Sequence, residues 1–101
     1  MKAEFNELIH APHRLRICAM LWAADAVEFA TLREHLGVAD SVLSKNLKAL
    51  VDAGYVALDK QTSRGRSRTW ARLLVPGRTA WQGHLAALQE MVAVAQDTEP
   101  G

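Results

Sequence analysis

TLREHLGVADSVLSKNLKALVDAGYVALDKQTSRGRSRTWARLL, residues 31–74, decides the fold of this 101-residue chain. Thr31 and Glu34 have the spacing of a capping box, and Leu32 and Leu36 share one face of a short helix that Gly37 stops. A second helix is expected from Asp40, its cap, with Leu43, Leu47, Leu50 and Val51 on a buried face. The opposite face carries Ser41, Ser44, Lys45 and Lys48. After Gly54 the run YVALD alternates as a half-buried strand with Val56 and Leu58 on one side, and TWARLL is its partner. Between them KQTSRGRSR makes a hairpin from which Arg64, Arg66 and Arg68 project alternately, with Gly65 at the bend.

Small and cationic side chains on an exposed helix can approach base edges and phosphates without steric conflict. Taken alone, Ser and Lys are also ordinary residues of any solvated helix face. The loop adds weight, because arginines at every second position suit a phosphate backbone or a narrow minor groove. A charged hairpin tip that discourages edge pairing is the plainer explanation.

The whole chain has a net charge of only +1, which predicts nothing about nucleic acid. The distribution is more telling. Residues 41–81 hold eight Lys and Arg against Asp52 and Asp59, a net of +6, and the remainder holds four against nine, a net of −5. A chain polarised in this way presents one basic face to a polyanion.

Residues 27–81, VEFATLREHLGVADSVLSKNLKALVDAGYVALDKQTSRGRSRTWARLLVPGRTAW, resemble the winged-helix DNA-binding domain of small bacterial transcriptional regulators of the MarR-like and ArsR-like type. LREHLG, LSKNLKALVDAGYV, GRSRTW and the L-x-PxGRxAW approach to a final helix carry the resemblance. IHAPHRLRICAMLW, upstream, is similar to the family's first helix. The resemblance implies that residues 41–53 are the recognition helix and residues 64–68 the wing. One departure is Val75, where the family has a threonine cap; its loss costs about 1 kcal/mol and leaves DNA binding alone.

The fold expected is mainly α with a small β-hairpin: a winged helix-turn-helix plus a long C-terminal helix. It forms one domain over residues 1–97, with a dimerisation helix over 76–96 and a disordered tail over 98–101. No stretch approaches the roughly 20 apolar residues of a membrane span and no signal peptide is evident, so a cytoplasmic protein is expected. Cys18 is the only cysteine, which rules out an internal disulfide and a multi-thiolate zinc site. It shares a helical stripe with Leu15, Leu21 and Trp22. His10 and His13 could hold a metal only with ligands from elsewhere, and His35 and His84 read as surface or domain-contact residues. No metal and no cofactor are expected. With no glycine-rich phosphate loop, nucleophile motif or paired carboxylates, neither is catalysis.

Trp81, Leu85, Leu88, Val92 and Ala95 are spaced 4, 3, 4, 3, the alternation of a helix–helix seam. Ala80, Ala87, Met91 and Val94 form a second set, so this helix is expected to touch both its own domain and a second copy. Packing on the first helix of the same chain would explain the first stripe alone. A homodimer would set two recognition helices about 34–36 Å apart on a near-palindromic operator in double-stranded DNA. The reading is a sequence-specific transcriptional regulator, more often a repressor at this size. The operator and any small-molecule effector are not legible. The rival is a winged helix that binds a protein instead of DNA.

Overall fold

Proline decides the start of the fold. The structure, a computed structural model that describes residues 2–97, contains two helices where IHAPHRLRICAMLW suggested one: α1 (Glu7–His10) and α2 (Pro12–Ala23). Ala11, ahead of Pro12, is extended at ψ 135°, because a proline ring clashes with a preceding residue in the α region. Asn6 caps α1, its side chain accepting from the Ile9 amide at 2.9 Å.

A strand the sequence did not signal follows. β1 (Val27–Glu28) runs directly into α3 (Phe29–Leu36), so the capping box expected at Thr31 does not form: Glu28 occupies the N-cap position and Thr31 lies inside the first turn. Pairing of β1 with a distant strand fixes where α3 begins, and that outweighs the local signal. Gly37 closes α3 in the left-handed region at φ 65°. α4 (Asp40–Asp52) is also capped differently from expectation, since Ala39 holds the N-cap position with no side-chain hydrogen bond. The Asp40 carboxylate instead accepts from Arg33 Nη1 at 2.8 Å.

β2 (Val56–Ser63) and β3 (Arg66–Leu73) are both longer than their sequence patterns, leaving Arg64 and Gly65 as a two-residue turn. The sheet order is β1-β3-β2, antiparallel throughout, with Val27 opposite Ala71 and Val56 opposite Leu73. The core gathers Ile9, Ile17, Cys18, Leu21, Leu32, Leu43, Leu47, Leu50, Val56, Ala71 and Trp81 between the helices and one face of the sheet.

α5 (Val75–Asp97) is 23 residues long, about 34 Å at helical rise. Gly77 lets it start close to the sheet, since a Cβ there would overlap the Tyr55 carbonyl oxygen. From Gln89 onward every described residue is exposed. This projection explains a radius of gyration of 15.8 Å against roughly 13 Å for a compact domain of this length. The tail expected to be disordered, 98–101, lies outside the described residues.

Candidate nucleic-acid interface

α4 is built into the core. Leu43, Leu47 and Leu50 are at most 1% exposed, and the fourth inward residue is Asn46, not the expected Val51, which is exposed. A buried amide requires partners. Asn46 Oδ1 accepts from Arg14 Nη1 at 2.9 Å and its Nδ2 donates to the Val42 carbonyl at 2.9 Å. Arg14 Nε also donates to the Leu8 carbonyl at 2.6 Å. The helix is thereby clamped to α1 and α2. Ser41, Ser44, Lys45 and Lys48 are all exposed, as is Val42. Lys48 is engaged by Asp52 at 2.7 Å.

The hairpin leaves the core as it lengthens. Arg64 and Gly65 both have positive φ, 53° and 76°, the condition for a type I′ turn, whose twist matches the flanking strands. Glycine adopts this freely, whereas arginine does so at a cost of about 1 kcal/mol. Strand residues alternate between faces and directly paired residues share one. Leu58, Lys60, Ala71 and Thr69 therefore look toward α4, and Ser63, Gln61, Arg66, Arg68, Trp70 and Arg72 look away. The arginines do not alternate as expected, because every second position of a strand lies on the same side.

Between α4 and the inner face of the hairpin lies a cleft of about 310 Å³ with a mainly apolar floor of Phe29, Leu47, Val51 and Leu58, rimmed by Ser44, Lys48, Lys60 and Thr69. Leu58 is 43% exposed because β2 has already passed the core. A second cleft, about 580 Å³, lies on the outer face among Gln61, Ser63, Arg64, Arg66, Arg68 and Trp70.

Carboxylates neutralise part of this basic region. Arg68 Nε is 3.7 Å from Glu28 Oε1, and Arg72 Nε donates to Asp59 at 3.0 Å. Among the described residues, Lys45, Lys60, Arg64 and Arg66 have no ion pair. The unpaired cations thus stand on α4 at Lys45, on the cleft rim at Lys60 and on the hairpin tip at Arg64 and Arg66.

Residues 13–92 match the family model of the winged helix DNA-binding domain. The chain belongs to this family. α4 is accordingly the second helix of its helix-turn-helix, and the β2–β3 hairpin is its wing. An uncharacterised protein of Methanocaldococcus jannaschii is 29% identical over 87 residues, 86% of this chain and 90% of that one. A transcriptional regulator homologue from Pyrococcus horikoshii OT3 superposes with a TM-score of 0.84 at 20% identity, covering 89% of each chain. A regulator of the MarR family from Enterococcus faecalis V583 gives 0.78 at 18% identity, covering 89% of this chain and 81% of that one. These superpositions establish a MarR-like winged-helix fold. Membership of a DNA-binding domain family sets catalysis aside.

The long helix of this winged-helix chain divides the expected seam in two. Trp81 is 5% exposed and belongs to the chain's own core, with Leu85 packed against that core and Leu88 half-buried. Met91 and Val92 are 52% and 57% exposed. His84 is fully buried, a domain-contact residue that sequence spacing did not connect to its partners. Its Nδ1 accepts from the Asn6 amide at 2.9 Å, and its Nε2 lies 3.1 Å from His10 Nδ1. Phe5 packs on both rings. The N-terminal strap crosses α5 at Gly83, whose carbonyl accepts from the Glu4 amide at 2.9 Å. Burial, and then the neighbouring His10, push the His84 pKa down.

His10 and His13 are not held together as a metal pair, since His10 turns to His84. Among the described residues no three His, Cys, Asp or Glu side chains gather in a metal-binding group. Cys18 is fully buried, and burial pushes its thiol up to about 12 against the opposing pull of Arg14, so it is a core residue without nucleophilic character. Trp22 leaves the expected stripe and lies under the Arg78 guanidinium, 5.3 Å from the ring centroid.

Proposed function

We propose that this chain is a sequence-specific double-stranded DNA-binding transcriptional regulator that acts as a homodimer. The observation that carries the reading is that Ser44, exposed on a helix clamped into the core, shares a cleft with the unpaired cation Lys60, with further unpaired cations at Lys45 on the same helix and at Arg64 and Arg66 on the hairpin tip. A rigid helix can place a side chain at a base edge, and cations flanking it supply the phosphate contacts that fix register. In this reading Ser44 and Lys45 meet bases, Ser41 and Lys48 lie nearer the backbone, and Arg64, Arg66 and Arg68 grip phosphates or the minor groove. Val42, 37% exposed on the first turn, adds a methyl surface suited to thymine.

The outer half of α5 supports pairing. Met91 and Val92 continue an apolar stripe beyond the core, and a small domain gains much by burying such surface against a second copy. Leu88 stands where α5 leaves the core, and Val92 and Ala95 complete the seam. A two-fold dimer recognises a near-palindromic operator, and occupying a promoter in this way makes repression the expected outcome. Among the described residues no helix is long and apolar enough to cross a membrane, consistent with a protein working on DNA in the cytoplasm.

Selection of bound sequences from a random duplex pool tests the reading: a near-palindrome with half-sites one helical turn apart is expected. One observation favours a protein partner instead, the apolar cleft between α4 and the wing. Absence of any enriched sequence would support that alternative.

A further inference from the structure

We infer that Glu28 is a built-in counter-ion of the wing, a positioning residue that holds Arg68 and must surrender it when DNA binds. The inference rests on the DNA-binding reading. Glu28 is fixed twice by the backbone, as the residue paired with Trp70 in the sheet and as the N-cap position of α3. Its carboxylate therefore stands on a rigid mount on the outer face of the sheet, diagonal to Arg68. The mount is not matched by a tight bond. The Nε–Oε1 separation of 3.7 Å is too long for a hydrogen bond, so Arg68 is steered and not locked. The Glu28 side chain is 24% exposed and that of Arg68 53%, so the guanidinium remains open to an incoming phosphate. With Arg66, Ser67 and Arg68 the carboxylate lines a cleft of about 390 Å³, which places one negative charge beside two wing arginines.

The consequence is an exchange. A phosphate that reaches Arg64 or Arg66 meets a cation with no ion pair, whereas one that reaches Arg68 replaces a carboxylate already there and gains only the difference. Glu28 also lies at the N-terminus of α3, where a negative charge is favoured, so its carboxylate is a fitting rival to an incoming phosphate. The wing consequently binds a polyanion more weakly, and with less salt dependence, than its arginine count implies. Asp59 holds Arg72 in a shorter contact on the same face, but at the base of the hairpin away from the tip, and it provides an internal comparison.

Affinities of the wild type, E28Q, R68A and the double variant for the selected operator duplex, each measured over a range of salt, test the idea. E28Q should bind roughly two- to fivefold more tightly, with a log-affinity against log-salt slope steeper by about 0.9. In the R68A background the same change should have less than about a third of that effect. An equal gain in both backgrounds would mean that Glu28 only repels DNA at large, and no gain in either would remove its role; both results overturn the inference while leaving DNA binding intact. Failure of the wild type to bind any duplex would instead sink the DNA reading and the inference with it. Thermal melts verify that the variants are folded, and D59N, which should raise affinity less than E28Q, guards against a general charge effect.

Discussion

α4, the proposed recognition helix, and the wing present cations from opposite kinds of support. α4 is anchored by three buried leucines and by Asn46, whose amide is fully engaged by Arg14 and the Val42 carbonyl. The wing passes out of the core after Val56 on one strand and rejoins it at Ala71 on the other. Beyond that point it is held by ladder hydrogen bonds and by side-chain ion pairs such as Glu28–Arg68. A side chain on the first element has a fixed address, and one on the second can follow a phosphate. In the proposed reading the helix suits discrimination and the wing suits grip.

That contrast can be broken most severely at the proposed dimer contact, because each region counts twice only if two copies pair. Leu88→Glu places a charge at the middle of the proposed seam, where burial without a partner costs several kcal/mol. Monomerisation by sedimentation equilibrium is expected, together with a loss of operator affinity of more than about tenfold as the second half-site stops contributing. Met91→Glu, at a residue already 52% exposed, should do the same without touching the protomer's core. A dimer that persists at micromolar concentration would place the interface elsewhere.

The next largest effect is expected from the wing. Replacing Arg64, Arg66 and Arg68 together with alanine should lower affinity by at least about a hundredfold at low salt, given about 1.5–3 kcal/mol for each charged contact and two contacts not already offset by a carboxylate. The salt slope should flatten by about two units, not three, if Glu28 already neutralises one of them. The melting temperature should not fall, since none of the three contributes to the core.

Arg14→Ala sharpens the comparison from the other side. It leaves Asn46 Oδ1 and the Leu8 carbonyl without a donor, a loss of about 1–3 kcal/mol. A fall in melting temperature of about 4–8 °C per kcal/mol follows for a domain of this size. An unchanged melt would mean that the recognition helix is held by its leucines alone.

How far these regions were legible from sequence follows from the range of the interactions that shape them. The glycine stops at Gly37 and Gly54, the leucine face of α4 and the two wing strands are local patterns, and the structure has them. β1 is two residues long and exists because Ala71 and Trp70 are there to pair with it, so no local signal announces it, and the capping box it displaced looked sound. The burial of Asn46 depends on Arg14, 32 positions away, and that of His84 on Asn6, 78 positions away. The sidedness of the wing arginines was available in principle from strand alternation, once the hairpin was known to turn at Arg64–Gly65. The residues proposed to meet DNA were legible as charge and helical spacing, and the structure adds that Ser41, Ser44, Lys45 and Lys48 are exposed.

The smallest effect expected is on stability against pH. Folding holds His84 neutral with a pKa below its ordinary value, so the unfolded chain binds more protons as pH falls below about 6.5. His84 therefore contributes stability that is full above this value and declines through the interval down to its folded pKa. Protonated Nδ1 would also face the Asn6 amide donor to donor. Melts of the wild type should fall between pH 7 and 5, and those of His84→Asn should fall less.

The division of labour between helix and wing is tested most directly by one ratio, operator affinity over affinity for a scrambled duplex of the same length, measured for Lys45→Ala beside Arg64→Ala/Arg66→Ala at one salt concentration. A lysine at a base edge contributes about 1–3 kcal/mol of discrimination, so Lys45→Ala should cut the ratio by roughly five- to a hundredfold. The wing variant should weaken both affinities and leave the ratio nearly unchanged. Equal losses on both duplexes for Lys45→Ala would make it one more phosphate contact and contradict the account.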